Sequence, residues 1–204
     1  PPMADELISA VRRAGQVAQA ERSRTAQVAA SVAAAVAQPS LGSGFVNGRV
    51  IMVYSPKGGT GVTTLAVNLA ITLHNDETRA ALVDGNLQFG DVAIFLNEQG
   101  KNTLLDLAPR ADELDPDVVD GVMLKHAASG IRVLAAPAKP EQADHVNADQ
   151  FSKLVKYLRQ IYAYVVVDTT HMLTDITLAA LDVSDIVVLV TTQDIPAIKN
   201  ISLF

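Results

Sequence analysis

Three features of this chain have the residue types and spacing needed to bind a phosphate group and a divalent cation. Residues 55–61 form a loop with three glycines, between a short apolar run and a helical pattern that opens with Thr63 and Thr64. Such a loop directs backbone N–H groups at an anion, and the dipole of the following helix favours negative charge there. Asp84 and Asp168 each end another apolar run, where a carboxylate is well placed to meet Mg²⁺ or its water.

The loop matches the nucleotide-binding pattern G-x-x-x-x-G-K-[ST] only in part. Gly61 fits the second glycine and Thr63 fits the hydroxyl that binds Mg²⁺. Pro56 and Val62 stand where the first glycine and the phosphate-binding lysine would be, and a lysine occurs instead near the start of the loop, at Lys57. The alternative interpretation is a glycine-rich turn that binds nothing. The strand–loop–helix context and the spacing favour the nucleotide-binding loop.

The elements that must position these residues alternate between strands and helices. Apolar runs typical of buried strands cover residues 50–54, 80–84, 131–136, 163–168 and 186–191. Helical patterns cover residues 102–107 and 116–125, and two more follow the capping residues Asn147 and Thr174. Because the strands are apolar throughout, they imply a parallel sheet covered on both faces. The sequence therefore predicts an α/β, doubly wound, mostly parallel sheet with the loop, Asp84 and Asp168 at one edge.

The composition excludes several kinds of site. There is no cysteine, which excludes disulfides and thiolate metal sites and is compatible with a reducing cytoplasm, and the four histidines show no metal-ligand spacing. The net charge is −6, and residues 1–38 hold four arginines against three acidic residues, so residues 39–204 carry −7. An acidic domain gives no electrostatic support for binding nucleic acid or anionic lipid. No apolar run approaches the roughly 20 residues of a membrane span.

The N-terminal part differs in composition from the rest. Apolar residues recur at helical spacing in residues 1–15, and residues 16–47 are rich in Ala before ending in a stretch of Pro, Ser and Gly that is typical of a domain boundary. The sequence predicts an N-terminal helical appendage over residues 1–15, a helical or flexible linker over residues 16–47 and an α/β domain over residues 48–204.

Residues 57–64, K-G-G-T-G-V-T-T, resemble the deviant Walker A motif K-G-G-x-G-K-[ST] of the ParA/MinD superfamily, a SIMIBI-like class of P-loop ATPase, with its second lysine lost. Residues 87–96, 134–144 and 187–200 resemble the CpaE/TadZ branch, which serves pilus assembly. Residues 1–15 resemble the last helix of a response-regulator receiver domain, which fits the same branch. The resemblance covers residues 48–204 and implies a domain truncated at its C-terminus, before the segment that contacts adenine.

The resemblance implies the residues of a nucleotide site. ATP or ADP would be held by Lys57, Gly58, Gly59, Thr60, Gly61, Val62, Thr63 and Thr64. Mg²⁺ would be held by Thr63, Asp84 and Asp168, the last in a Walker B pattern. Lys57 would act in trans, on the nucleotide of the partner in a homodimer that sandwiches two nucleotides. Asn86 stands where the family has an aspartate that helps to position water. Val62 and Asn86 therefore predict weak or absent hydrolysis.

The resemblance also implies a localisation or scaffold factor for type IV (Tad/Flp) pilus assembly and secretion. Such a protein would be cytoplasmic and recruited to the inner membrane or the cell pole. Its partners would be proteins of the pilus or secretion machinery, with no nucleic acid, and with membrane contact only indirect or through segments absent here. Two alternatives remain open: an active, dimerising ATPase switch of the MinD type, and an interaction module that binds no nucleotide.

Overall fold

The computed structural model describes Gln19, residues 47–98 and residues 100–204. The predicted receiver helix over residues 1–15 lies outside the described residues, and so does the predicted linker apart from Gln19 and Asn47.

Six strands form one sheet. They are β1 (Arg49–Tyr54), β2 (Ala80–Asp84), β3 (Leu124–Lys125), β4 (Arg132–Leu134), β5 (Tyr164–Asp168) and β6 (Ile186–Leu189). Their order across the sheet is β3-β4-β2-β5-β1-β6. Every pairing is parallel except that of β3 with β4. The predicted parallel sheet is confirmed, and β3 was missed because two residues are too few to give a strand pattern.

The helices connect these strands in sequence. They are α1 (Val62–Leu73), α2 (Val92–Phe95), α3 (Pro116–Val122), α4 (Ala148–Ile161), α5 (Asp175–Val183) and α6 (Ile195–Leu203). Short 3₁₀ helices cover Leu104–Asp106, Ala108–Arg110 and Pro140–His145. Both predicted caps are confirmed. The Asn147 side chain accepts from the Gln150 backbone N–H at 2.9 Å, and the Thr174 hydroxyl accepts from the Thr177 N–H at 3.2 Å.

Two of the predicted helices were wrong in part. The helix predicted over residues 116–125 ends at Val122, because Leu124 and Lys125 pair with β4 instead. A turn at Gly130, which has a φ of +80°, allows this short hairpin. The helix predicted over residues 102–107 is a single 3₁₀ turn, which Thr103 caps.

Side chains from the two faces of the sheet enter two separate cores. On one face Met52, Val83 and Val167 pack in the core that α4 and α5 cover, and on the other face Leu82 and Val166 pack with α1. Helix α4 buries its apolar stripe, which consists of Phe151, Leu154, Val155 and Leu158. Full burial of such side chains stabilises the fold by roughly 1.5–3 kcal/mol each. Helices on both faces confirm the doubly wound architecture, and no helix in the described part of the chain is long and apolar enough to cross a bilayer.

Candidate nucleotide-binding site

The three predicted features meet at the carboxyl edge of the sheet. Asp84 and Asp168 end neighbouring parallel strands and are direct partners in the register of β2 and β5. The loop of residues 55–61 follows β1, which lies on the other side of β5. Both carboxylates are buried, each with 1% of its surface exposed. The predicted convergence of the loop and the two aspartates is therefore confirmed.

The backbone of the loop requires glycine at two positions. Gly59 and Gly61 have φ values of +76° and +92°, although a Cβ at either position would meet no atom within 4 Å. The left-handed backbone, rather than lack of space, therefore disfavours other residues there. Gly61 immediately precedes α1, and no side chain in the described part of the chain caps this helix. The first N–H groups of α1 are therefore available to an anion.

The hydroxyl of Thr63 donates a hydrogen bond to Oδ2 of Asp168 at 2.8 Å. Oδ1 of Asp168 is buried and has no hydrogen-bond partner among the described residues. Burial raises the pKa of Asp168 to about 6, although the Thr63 hydrogen bond opposes this rise. An unpartnered buried oxygen calls for an explanation, and an ion or its water is a common one. Thr63 and Asp168 therefore fit a magnesium ion at the base of the loop.

Asp84 supports the backbone around it. Its Oδ1 accepts from the Asn86 N–H at 3.1 Å and its Oδ2 accepts from the Val92 N–H at 3.2 Å. Burial, and then the charge of Asp168, raise the pKa of Asp84 to about 8. The surroundings of Asp84 therefore favour its protonated form, and a bound cation would favour the ionised form. The described residues contain no cluster of three or more His, Cys, Asp or Glu, so a cation here would need oxygens from phosphate and water as well.

Asn86 lies on the cavity wall, and its side-chain amide forms a hydrogen bond within its own loop. Its Nδ2 donates to the carbonyl of Phe89 at 2.7 Å and so closes the turn after β2. An amide cannot accept a proton from water at neutral pH, and this one helps to hold the loop.

A cavity of about 370 Å³ opens above the loop. Of the residues predicted to bind nucleotide, those on its wall are Lys57, Gly58, Gly59, Gly61, Val62, Thr63 and Thr64. Thr60 is not on the wall, and its hydroxyl donates to the carbonyl of Lys57 at 3.2 Å. The volume falls within the range of small-molecule sites.

Lys57, predicted to act on a partner's nucleotide, contacts a residue of its own chain. Its Nζ lies 2.8 Å from Oδ2 of Asp194, the residue that precedes α6. The hydrogen bond from Lys57 lowers the pKa of Asp194 to about 2.

Sequence reasoning missed several residues of the cavity wall, namely Asp91, Phe95, Thr169, Thr170 and His171. Asp91 forms no side-chain cap on α2, and its charge contributes to the raised pKa values of Asp84 and Asp168. The sequence places Asp91 close to Asp84, but it does not show whether the Asp91 side chain lies at the cavity. His171 follows Asp168 by three residues, which was the available signal for that residue.

Comparison with known proteins identifies the family. A family model described as "AAA domain" matches residues 48–204. The chain belongs to the ParA/MinD family of P-loop ATPases. This ParA/MinD domain is 25% identical over 152 residues to the septum site-determining protein MinD of Synechocystis, covering 74% of this chain and 56% of the relative. It is 31% identical over 157 residues to the flagellum site-determining protein YlxH of Helicobacter pylori, covering 76% of this chain and 51% of the relative.

A solved structure of MinD from Pyrococcus horikoshii in complex with Mg-ADP has the same fold as this ParA/MinD domain. The TM-score is 0.65 at 23% identity, over 74% of this chain and 61% of that one. The chain spans just over half the length of the first curated relatives it matches.

Proposed function

We propose that this ParA/MinD domain binds ATP or ADP with Mg²⁺ at the loop of residues 57–64. The observation that carries the proposal is the Thr63–Asp168 hydrogen bond, with Oδ1 of Asp168 buried and unpartnered beside the uncapped start of α1. This arrangement offers a cation position next to an anion position. A magnesium nucleotide supplies both charges.

Each part of the site has a proposed role. The backbone of residues 58–61 and the start of α1 hold phosphate oxygens, and Thr63 with Asp168 holds Mg²⁺ directly or through water. Asp84 in its ionised form would complete the cation site. When bound, Mg²⁺ would supply positive charge next to the phosphate oxygens. The residues of the loop would bind and orient the nucleotide. Val62 supplies no charge, and Asn86 supplies no base.

We propose that the protein is a nucleotide-binding localisation or scaffold factor whose hydrolysis is weak or absent. Two of the relatives are named for the placement of a division septum and of a flagellum. By resemblance to the CpaE/TadZ branch, the structure to be placed is a type IV (Tad/Flp) pilus assembly and secretion machine. The protein would act in the cytoplasm, recruited to the inner membrane or the cell pole, with pilus or secretion proteins as partners.

The second candidate is an active, dimerising switch of the MinD type. The presence of Lys57 favours it, because that lysine is the part of the deviant motif that serves a sandwich homodimer. Val62 and Asn86 favour weak turnover instead. The two candidates share nucleotide binding and differ in turnover, so one measurement of phosphate release separates them.

Calorimetric titration of the full chain with Mg-ADP and Mg-ATP tests the binding proposal. Saturable binding is expected in the wild type. Replacing Asp168→Asn should weaken Mg²⁺-dependent binding about tenfold or more, since charge-assisted contacts contribute about 1.5–3 kcal/mol. Asp112→Asn, on the surface against Lys153, is the matched control and should bind as the wild type does. Wild-type protein that does not saturate at millimolar nucleotide would contradict the binding proposal and favour the remaining alternative, an interaction module that binds no nucleotide.

A further inference from the structure

The loop after β5 brings a histidine to the wall of the phosphate pocket. His171 lines the same cavity as Lys57, Val62 and Asn86. Its Nδ1 lies 3.6 Å from the position that a Cβ on Gly58 would occupy, and its Cγ lies at 3.8 Å. The imidazole therefore lies beside the start of the loop, where a side chain on Gly58 would touch it.

Two hydrogen bonds hold the segment that contains this histidine to β1, the strand that precedes the loop. The hydroxyl of Tyr54 donates to the carbonyl of His171 at 3.2 Å, and the hydroxyl of Thr169 donates to the carbonyl of Val53 at 2.7 Å. Tyr54 is 1% exposed and immediately precedes the loop. The segment between Thr169 and His171 is therefore held to the end of β1, and this places the backbone of His171 beside the loop.

The charge balance of the pocket gives the imidazole a chemical role. On the described cavity wall, Lys57 and His171 are the only basic side chains and Asp91 is the only acidic one. Lys57 is paired with Asp194. Val62 contributes no charge. The ring nitrogens of His171 form no hydrogen bond with any described residue, and its side chain is exposed to the cavity. A nucleotide brings several negative charges that a P-loop site must neutralise.

We propose that His171 binds the phosphate chain of the nucleotide and supplies the donor that Val62 cannot. The proposal rests on the nucleotide-binding function proposed above. Imidazole can donate a hydrogen bond to a phosphate oxygen through a ring N–H. His171 is then a binding residue of the site, which compensates within one chain for the missing lysine of the loop.

Calorimetry or a fluorescent-nucleotide titration with Mg-ADP and Mg-ATP tests this role in the full chain. His171→Ala should raise the Kd about tenfold, as expected for loss of a hydrogen bond to a charged group. His171→Lys should stay within about threefold of the wild type, because a lysine still places a cation at the phosphates. His145→Ala removes an exposed histidine from a 3₁₀ helix outside the cavity, and it should not change the Kd.

A double-mutant cycle separates phosphate binding from simple packing. In a Val62→Lys background, His171→Ala should raise the Kd less than about threefold, because the restored lysine also donates to the phosphates. Equal loss in both backgrounds, equal loss for Ala and Lys at residue 171, or no loss at all would each overturn the proposal. If the wild type binds no nucleotide, the proposed function itself fails. If the wild type binds nucleotide and the substitutions at residue 171 do not change the Kd, only the proposed role of His171 fails.

Discussion

The ammonium group of Lys57 lies 2.8 Å from Oδ2 of Asp194 in the same chain. The other carboxylate oxygen of Asp194 caps α6 by accepting from the Ala197 N–H at 3.0 Å. Asp194 thus joins the phosphate-binding loop to the start of a helix far along the chain. The side chains of Lys57 and Asp194 are each 38% exposed, and exposed pairs contribute only about 0–1 kcal/mol. A nucleotide phosphate can therefore compete with Asp194 for the lysine.

Asp194→Asn should release Lys57 while keeping the helix cap, because asparagine caps helices as well as aspartate does. If Lys57 serves a partner's nucleotide, the variant should dimerise with Mg-ATP at a lower protein concentration than the wild type. The decrease should be at most about threefold, because an exposed ion pair contributes little energy. Sedimentation velocity over a concentration series measures this. Asp112→Asn removes a surface partner of Lys153 instead and serves as the control. Identical dimerisation of Asp194→Asn and the wild type would show that the pair does not restrain Lys57.

The raised pKa values of the two aspartates predict opposite effects of pH on stability without Mg²⁺ and on affinity for Mg-ADP. Asp84 and Asp168 have folded-state pKa values of about 8 and about 6, against 3.8 for an ordinary aspartate. The folded state therefore holds more protons than the unfolded state above about pH 4. The resulting stabilisation is fully present below the unfolded pKa and is lost as the pH rises through the folded values. Without Mg²⁺, the free energy of unfolding should fall as the pH rises from about 5 to about 8.

Mg²⁺ requires the ionised carboxylates, so affinity for Mg-ADP should rise over the same pH range. Urea unfolding and Mg-ADP titration at matched pH values give both trends. In Asp84→Asn the contribution of Asp84 to the pH dependence should vanish, most visibly between about pH 6 and pH 8. A stability without Mg²⁺ that depends on pH to the same extent in the wild type and in Asp84→Asn would contradict the assigned pKa of Asp84.

How far the sequence predicted this molecule depends on whether each signal was local. The strand runs, the glycines of the loop and the caps at Asn147 and Thr174 are encoded by neighbouring residues, and the structure confirms their placement. The register that sets Asp84 beside Asp168 follows from parallel strands ending at one edge. Strand β3 could not be predicted, because two residues become a strand only through their pairing with β4.

The missed site residues depend on contacts between distant parts of the chain. Asp194 reaches Lys57 across 137 residues, and Tyr54 holds His171 across 117. No spacing rule connects such pairs. The sequence showed that valine replaces the motif lysine at position 62. It did not show that His171 could offset this loss, because His171 belongs to the loop after a different strand.

The capping box at the start of α4 provides a test of local stability. The Asn147 side chain accepts from the Gln150 N–H at 2.9 Å, and Gln150 returns a bond to the Asn147 N–H at 3.1 Å. Asn147→Ala should lower the free energy of unfolding by about 1 kcal/mol, and Asn147→Asp should change it little, because aspartate also caps. Urea denaturation measures both. A loss in Asn147→Asp as large as that in Asn147→Ala would assign the effect to something other than the cap.

Weak hydrolysis should result from two positions that act on one reaction. Val62 offers no charge to the phosphates, and the Asn86 amide, whose Nδ2 is bonded to the Phe89 carbonyl at 2.7 Å, makes a poor group for orienting water. Val62→Lys and Asn86→Asp together should raise turnover more than either change alone, because both act on one transition state. If Lys57 completes the site in trans, turnover per chain should also rise with protein concentration. Steady-state phosphate release by the wild type and the three variants, at several protein concentrations, gives both results. Wild-type turnover as fast as that of the double variant would show that these residues do not limit hydrolysis, and it would favour the active switch of the MinD type.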